Sequence, residues 1–106
     1  MSQMDKINGL KEILELDPGS SFARYGIAME RLRRGEVAEA LADFDILLAN
    51  DPDYTAGYFM SAQALATAGR TPEAIERLKV GISCAARRGN RHALSEMQTM
   101  LDELER

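Results

Sequence analysis

Residues 35–41 read Gly-Glu-Val-Ala-Glu-Ala-Leu, and residues 69–75 read Gly-Arg-Thr-Pro-Glu-Ala-Ile. The two segments align without a gap at a separation of 34 residues. The same separation continues outside them, since Leu10, Phe44 and Leu78 are each 34 residues apart. A fixed period of this length indicates a chain built from repeated supersecondary units.

The apolar residues within each repeat recur at steps of three and four, which is typical of amphipathic helices. Together with the breaks between them, this periodicity predicts six helices. They run over about residues 4–16, from Ser20 or Ser21 to just before Gly35, over about 37–49, about 54–68, from Pro72 to Arg88, and over about 91–104.

Proline, glycine and small polar residues mark the predicted helix ends. Asp17-Pro18 and Asp51-Pro52 end helices because the residue before a proline is pushed out of the α region. Gly69 is placed as a left-handed terminator. The predicted N-caps, whose side chains accept a hydrogen bond from the first turn, are Ser20 or Ser21, Asp53, Thr71 and Asn90.

The repeats resemble the tetratricopeptide repeat, whose pattern is Trp-x2-Leu-Gly-x2-Tyr, then Ala-x3-Phe, then Pro. The first complete unit reads Arg24-x2-Ile27-Ala28-x2-Arg31, Ala40-x3-Phe44 and Pro52. The second reads Tyr58-x2-Ser61-Ala62-x2-Leu65 and Ala74-x3-Leu78, with Ala86 at the proline position. The second-helix half matches well, whereas the first-helix half departs from the pattern.

The resemblance implies an all-α fold, an antiparallel helix-hairpin solenoid that forms a right-handed superhelix of about six helices. It divides one domain, residues 1–106, into a leading helix at 1–18, repeats at 19–52 and 53–86, and a C-terminal capping helix at 87–106. Small residues are expected where paired helices approach closely, at Ala28 with Ala40 and at Ala62 with Ala74. The position usually held by Trp carries Arg24, Tyr58 and His92, which predicts looser packing of the first helices.

Composition and charge narrow the class of function. Hydrophobic residues make up 45% of the 106 residues, aromatic residues 6%, and tryptophan is absent, which favours an aliphatic helical core over a β-sandwich or disorder. The formal net charge of −4 argues against a nucleic-acid partner. No segment is apolar enough for a secretory signal or a membrane span, and Cys84 is a lone cysteine, so we expect a soluble cytoplasmic protein.

Enzymatic chemistry is not expected from these residues. The chain has one histidine and one cysteine, which excludes a metal cluster built from those ligands. Its glycines are isolated, so no phosphate-binding loop is present, and Asp43 and Asp45 lie on different faces of one helix. We therefore predict no catalytic residues, no cofactor and no metal, and we expect His92 to have a packing or surface role.

The resemblance implies a concave surface, lined by the first helices of successive hairpins, that binds an extended peptide or a helix of a partner protein. The predicted groove residues, apart from Arg33 and Gln63, are aromatic or aliphatic side chains suited to recognition. They are Phe22, Tyr25, Met29 and Arg33 on helix two, Phe59, Met60 and Gln63 on helix four, and Leu94 and Met97 on helix six. The same aromatic and methionine residues could instead pack between neighbouring helices.

Two alternatives remain open at the level of the sequence. One is a self-associating scaffold, a homodimer through the terminal helices, and the other is a small subunit of a larger complex. The terminal helices carry wide apolar stripes, at Met4, Ile7, Leu10, Ile13 and Leu14 and at Ala93, Leu94, Met97, Met100, Leu101 and Leu104. A chaperone tail is not expected as the ligand, because the family's carboxylate-clamping Lys and Asn positions hold other residues here.

Overall fold

A computed structural model describes residues 3–106, with side chains from residue 6 onward, so residues 1–2 and the Met4 side chain lie outside this description. The described residues form six helices and no strand, which confirms the predicted all-α fold. The helices are α1 (Gln3–Leu16), α2 (Ser21–Arg33), α3 (Val37–Asn50), α4 (Thr55–Thr67), α5 (Thr71–Arg88) and α6 (Arg91–Leu104). None of them has both the length and the apolar character to cross a membrane.

The helices group into two compact units that divide between Asp51 and Pro52. In the N-terminal unit, α2 packs against both α1 and α3. In the C-terminal unit, α5 packs against both α4 and α6, and α4 also contacts α6. Each unit therefore buries its apolar residues around a central helix.

The core of the N-terminal unit is formed mainly by α2 and α3. The Tyr25 and Phe44 rings meet edge to face, with ring centroids 6.2 Å apart and an interplanar angle of 66°. This is a favourable geometry for two aromatic rings. The buried apolar residues of this unit are Ile7, Ala23, Ile27, Ala28, Ala40, Leu41, Phe44 and Leu47.

The core of the C-terminal unit depends on a close approach at Gly81 in the middle of α5. A Cβ atom added to this glycine would lie 2.6 Å from Met97 Sδ and 2.6 Å from Tyr58 Cβ. The Tyr58 hydroxyl donates a hydrogen bond to the Pro52 carbonyl at 2.7 Å, and burial raises its pKa. The buried apolar residues are Tyr58, Ala62, Ala64, Leu65, Ala74, Leu78, Cys84, Ala85, Met97 and Leu101.

Several predicted helix ends are confirmed. The Ser20 hydroxyl accepts a hydrogen bond from Ala23 N at 3.2 Å, and Asn90 Oδ1 accepts one from Ala93 N at 3.1 Å. Gly69 has a φ of +78°, the left-handed conformation that terminates a helix. The four alanines predicted at the helix seams are completely buried, as close packing requires.

Two predicted N-caps are wrong. Asp53 does not cap α4, because its carboxylate instead lies 3.5 Å from Arg87 and 3.6 Å from Arg88 at the end of α5. Thr71 is already the first residue of α5, and Arg70 occupies the cap position without a side-chain cap hydrogen bond. The Asp53 carboxylate, which the sequence predicted to cap α4, thus forms ion pairs with two arginines instead.

Candidate functional site

A cleft of about 450 Å³ lies in the C-terminal unit between α4 and α6, and we call it the α4/α6 cleft. This volume falls within the range of about 300–1,000 Å³ that is usual for ligand-binding clefts. Its lining comes from one face of each helix. The lining residues are Phe59 and Gln63 from α4, and His92, Ser95, Glu96, Thr99, Met100 and Glu103 from α6.

The amphipathic pattern of α6 determines which side chains face this cleft. Met97 and Leu101 are one turn apart and buried, while α6 packs against α5. The polar residues of the cleft recur at steps of three and four along the same helix, so they share another face. Burial of the Met97 face thus directs the polar stripe from His92 to Glu103 into the cleft.

The cleft combines a small apolar surface with exposed polar groups. Phe59 and Met100 are half-buried, whereas the other six lining residues are exposed. His92 Nε2 lies 3.2 Å from Glu96 Oε1, four residues along the helix. The Thr99 hydroxyl donates a hydrogen bond to the Ser95 carbonyl at 2.9 Å, which links the Thr99 side chain to the backbone of the preceding turn.

The structure separates the predicted groove residues of the C-terminal unit. Phe59 and Gln63 line the cleft. Met60 and Leu94 are half-buried and lie outside its lining. Met97 requires a correction, because it is completely buried against Gly81 and its side chain is not available to a partner.

The predicted groove residues of the N-terminal unit also differ in exposure. Phe22, in the first turn of α2, is 70% exposed, whereas Tyr25 and Met29 are half-buried. Arg33 is exposed at the end of the same helix, and its guanidinium is engaged with the buried Glu30. Phe22 is therefore the large apolar side chain of α2 that is most accessible to solvent.

Glu30 is a buried carboxylate that the sequence interpretation did not single out. Arg33 donates from Nε to Glu30 Oε2 at 3.2 Å and from its terminal nitrogen to Oε1. Lys6 lies 3.5 Å and Arg34 lies 3.7 Å from the same carboxylate. The hydrogen bond from Arg33 holds the pKa of Glu30 below its ordinary value, although burial acts in the opposite direction.

Asp43 is the second buried carboxylate of the N-terminal unit. Arg24 lies 3.5 Å from its Oδ1 atom and Arg31 lies 3.3 Å from its Oδ2 atom. Arg24 occupies the Trp position of the repeat pattern, where the sequence predicted looser packing, and Arg31 occupies the Tyr position. An ion-paired cluster replaces the aromatic side chains there. Asp43 is buried whereas Asp45 is exposed, so the two carboxylates lie on different faces of α3, as helical spacing predicted.

The sequence interpretation missed most residues that line the α4/α6 cleft. It followed the 34-residue spacing of Met29, Gln63 and Met97, and this spacing placed Met97 on the groove face of α6. The signal that could have identified them is the polar stripe of α6, at His92, Glu96, Thr99 and Glu103. On an amphipathic helix the apolar stripe packs inward and the polar stripe faces away from the core.

Cys84 is buried, with its sulfur 3.7 Å from the Thr55 hydroxyl.

No family model matches the sequence. Along 94% of its length, the chain is 28% identical to a TPR repeat-containing protein of Pseudomonas aeruginosa, and the match covers 95% of that protein. A solution structure of a tetratricopeptide repeat domain protein from Salinibacter ruber is 35% identical, covers 84% of this chain and 90% of its own, and gives a TM-score of 0.79.

A third similar structure is the TPR2B domain of yeast Sti1 in a complex with pHsp70. It covers 97% of this chain and 82% of its own chain with a TM-score of 0.89, but at 17% identity it supports the fold alone. The identity to the Salinibacter ruber domain extends over most of both chains. Together with the 34-residue period and the six helices, it shows that this chain belongs to the tetratricopeptide repeat family.

Proposed function

We propose that this protein is an interaction module that binds a peptide or helix of a partner protein at the α4/α6 cleft. In this proposal Phe59 and Gln63 contact the partner from α4, and the α6 lining residues contact it from the other side, namely His92, Ser95, Glu96, Thr99, Met100 and Glu103. The exposed Phe22, with Tyr25, Met29 and Arg33, forms a further contact surface on the N-terminal unit. The proposal includes no catalytic activity and no cofactor.

The observation that carries the proposal is a cleft in which a half-exposed aromatic ring and a methionine lie among polar side chains. Aromatic residues contribute much of the binding energy at protein interfaces, and methionine adapts to irregular partners. The surrounding polar groups, such as Gln63 and Thr99, can hydrogen-bond to a peptide backbone. The structure of the yeast Sti1 domain in a complex with pHsp70 supports partner binding as a use of this fold.

The test is a random-peptide display selection against the immobilised full chain, followed by binding measurements on the selected peptides. The double variant Phe59→Ala/Gln63→Ala removes the α4 side of the cleft. Val80→Ala is the matched control, because Val80 is an exposed apolar residue of α5 outside the cleft lining. Circular dichroism verifies that all three proteins have the same helicity.

We expect selected peptides to bind the wild type and Val80→Ala equally and the double variant at least about tenfold more weakly, as loss of an interface anchor predicts. A selection that returns no peptide above background would contradict the proposal. So would peptides that bind the double variant as tightly as the wild type.

Self-association is a second candidate function, favoured by the exposed apolar residues of the N-terminal unit. Leu16 is 91% exposed at the end of α1, and Ile13 and Phe22 are also exposed. The corresponding argument from α6 is weaker, because Met97 and Leu101 are buried within the C-terminal unit. Light scattering at tens of micromolar protein tests self-association. A dimer that Leu16→Ser dissociates would support it, and a monomeric wild type would reject it.

A further inference from the structure

We infer that the α4/α6 cleft selects a basic peptide, one in which an apolar residue is flanked by lysine or arginine. The inference rests on the proposed function and adds the chemistry of the partner. It is carried by the carboxylates of Glu96 and Glu103, which lie beside the apolar surface of Phe59 and Met100 in one cleft.

The charge of the cleft differs from that of its surroundings. Residues 54–106 carry seven lysines and arginines against six acidic residues, so this part of the chain is nearly neutral. The lining nevertheless includes two glutamates and no lysine or arginine. The facing helix, α4, has no charged residue along its whole length.

The arginines at the ends of α6 do not line the cleft. Arg91 is the first residue of α6 and Arg106 follows its last residue, and neither lines the α4/α6 cleft. His92 is the only lining residue that can become a cation, and its exposed side chain lies 3.2 Å from Glu96. Glu103 makes no ion pair among the described residues, which leaves a carboxylate available at the far end.

The spacing of these groups indicates how a peptide would lie. Glu96 and Glu103 are seven residues apart, a separation of about 10.5 Å along a helix axis at 1.5 Å per residue. Two basic side chains about two helical turns apart span this distance on one face of a bound helix. An apolar side chain between them would meet Phe59 and Met100.

Lysine and arginine fit both features of the cleft. Their aliphatic stems pack on apolar surface while the charged group reaches a carboxylate, and a cation over an aromatic face such as that of Phe59 is attracted to the ring. Acidic peptides, nucleic acids and anionic lipids would place like charges beside Glu96 and Glu103. Electrostatic complementarity therefore favours a basic peptide.

The test extends the display selection to a comparison of charge. The variant Glu96→Gln/Glu103→Gln neutralises the cleft without changing side-chain size. The variant Glu76→Gln/Asp102→Asn removes the same number of charges from exposed positions outside the lining. The frequency of lysine and arginine in the selected pools is compared with that of the starting library, and fluorescence anisotropy gives the affinity of the most abundant peptides.

We expect enrichment of lysine and arginine in pools selected on the wild type and on the control variant, and no enrichment on the neutralised cleft. The affinity of a selected basic peptide should fall about tenfold or more for Glu96→Gln/Glu103→Gln and should also fall as salt is added. Peptides that bind at the cleft without basic enrichment would overturn this inference and leave the proposed function intact. The absence of any selected peptide would reject both.

Discussion

Glu30 and Asp43 are the carboxylates that the described part of the N-terminal unit buries, and cations surround each of them. Asp43 is 8% exposed, and the two arginine side chains beside it remain 24% and 22% exposed. Partial exposure lowers the desolvation cost of such a cluster compared with a fully buried ion pair. Arg24 and Arg31 can therefore occupy positions that the family pattern gives to aromatic residues without leaving a buried charge unpaired.

The Glu30 cluster predicts a specific pH dependence of stability. Because the Arg33 hydrogen bond holds the pKa of Glu30 below its ordinary value of 4.5, the unfolded chain binds a proton more readily than the folded chain. The stabilisation is therefore present above about pH 4.5 and is lost as the pH falls through the lower folded pKa.

The measurement is urea denaturation of the wild type and of Glu30→Gln between pH 3 and pH 7. We expect the difference in the free energy of unfolding between the two proteins to be largest at neutral pH and to shrink below about pH 4.5. A difference that stays constant over this range would show that Glu30 does not contribute through its charge.

At the scale of the helix, the tight contact of α5 with Tyr58 and Met97 has a measurable consequence. In Gly81→Ala, the new methyl group would meet Tyr58 Cβ, which cannot move without the backbone of α4. Overpacking of this kind costs about 1–3 kcal/mol, which exceeds the gain of about 0.5–1 kcal/mol from replacing a helical glycine by alanine. Gly81→Ala should therefore lower the free energy of unfolding.

Gly9→Ala is the matched control, because Gly9 lies inside α1 and nothing is within 4 Å of an added Cβ. This variant should be more stable than the wild type by about 0.5–1 kcal/mol. Denaturant unfolding followed by circular dichroism measures both changes. Equal stabilisation by the two variants would contradict the close packing at Gly81.

The elements of this fold were predictable from sequence to a large extent, because the period and the helix-end residues are local signals. The alanines at the helix seams and the caps at Ser20 and Asn90 follow from spacing alone. The failure of Asp53 to cap α4 could not be predicted from local spacing, since its carboxylate pairs with arginines about 34 residues away. The position of Met97 also depended on packing, because α6 turns its apolar stripe toward α5 and its polar stripe toward the cleft.

At the scale of the whole molecule, the described residues form two three-helix units, and the chain has an acidic formal net charge of −4. Family membership accounts for the fold, and binding of a basic peptide at the α4/α6 cleft is what we propose for this chain. The lining of the α4/α6 cleft carries two glutamates and no lysine or arginine, a local charge that the nearly neutral composition of residues 54–106 does not reveal. We propose that the face of α6 in this cleft determines the chemistry of the partner.

The most direct test of peptide binding at this cleft is a nuclear magnetic resonance titration of the isotope-labelled full chain with a selected peptide. We predict that the largest amide shift changes fall on Phe59, Gln63 and residues 92–103, with small changes around Val80 on α5. Shift changes concentrated outside the cleft, while its amides stay unperturbed at saturation, would contradict the account.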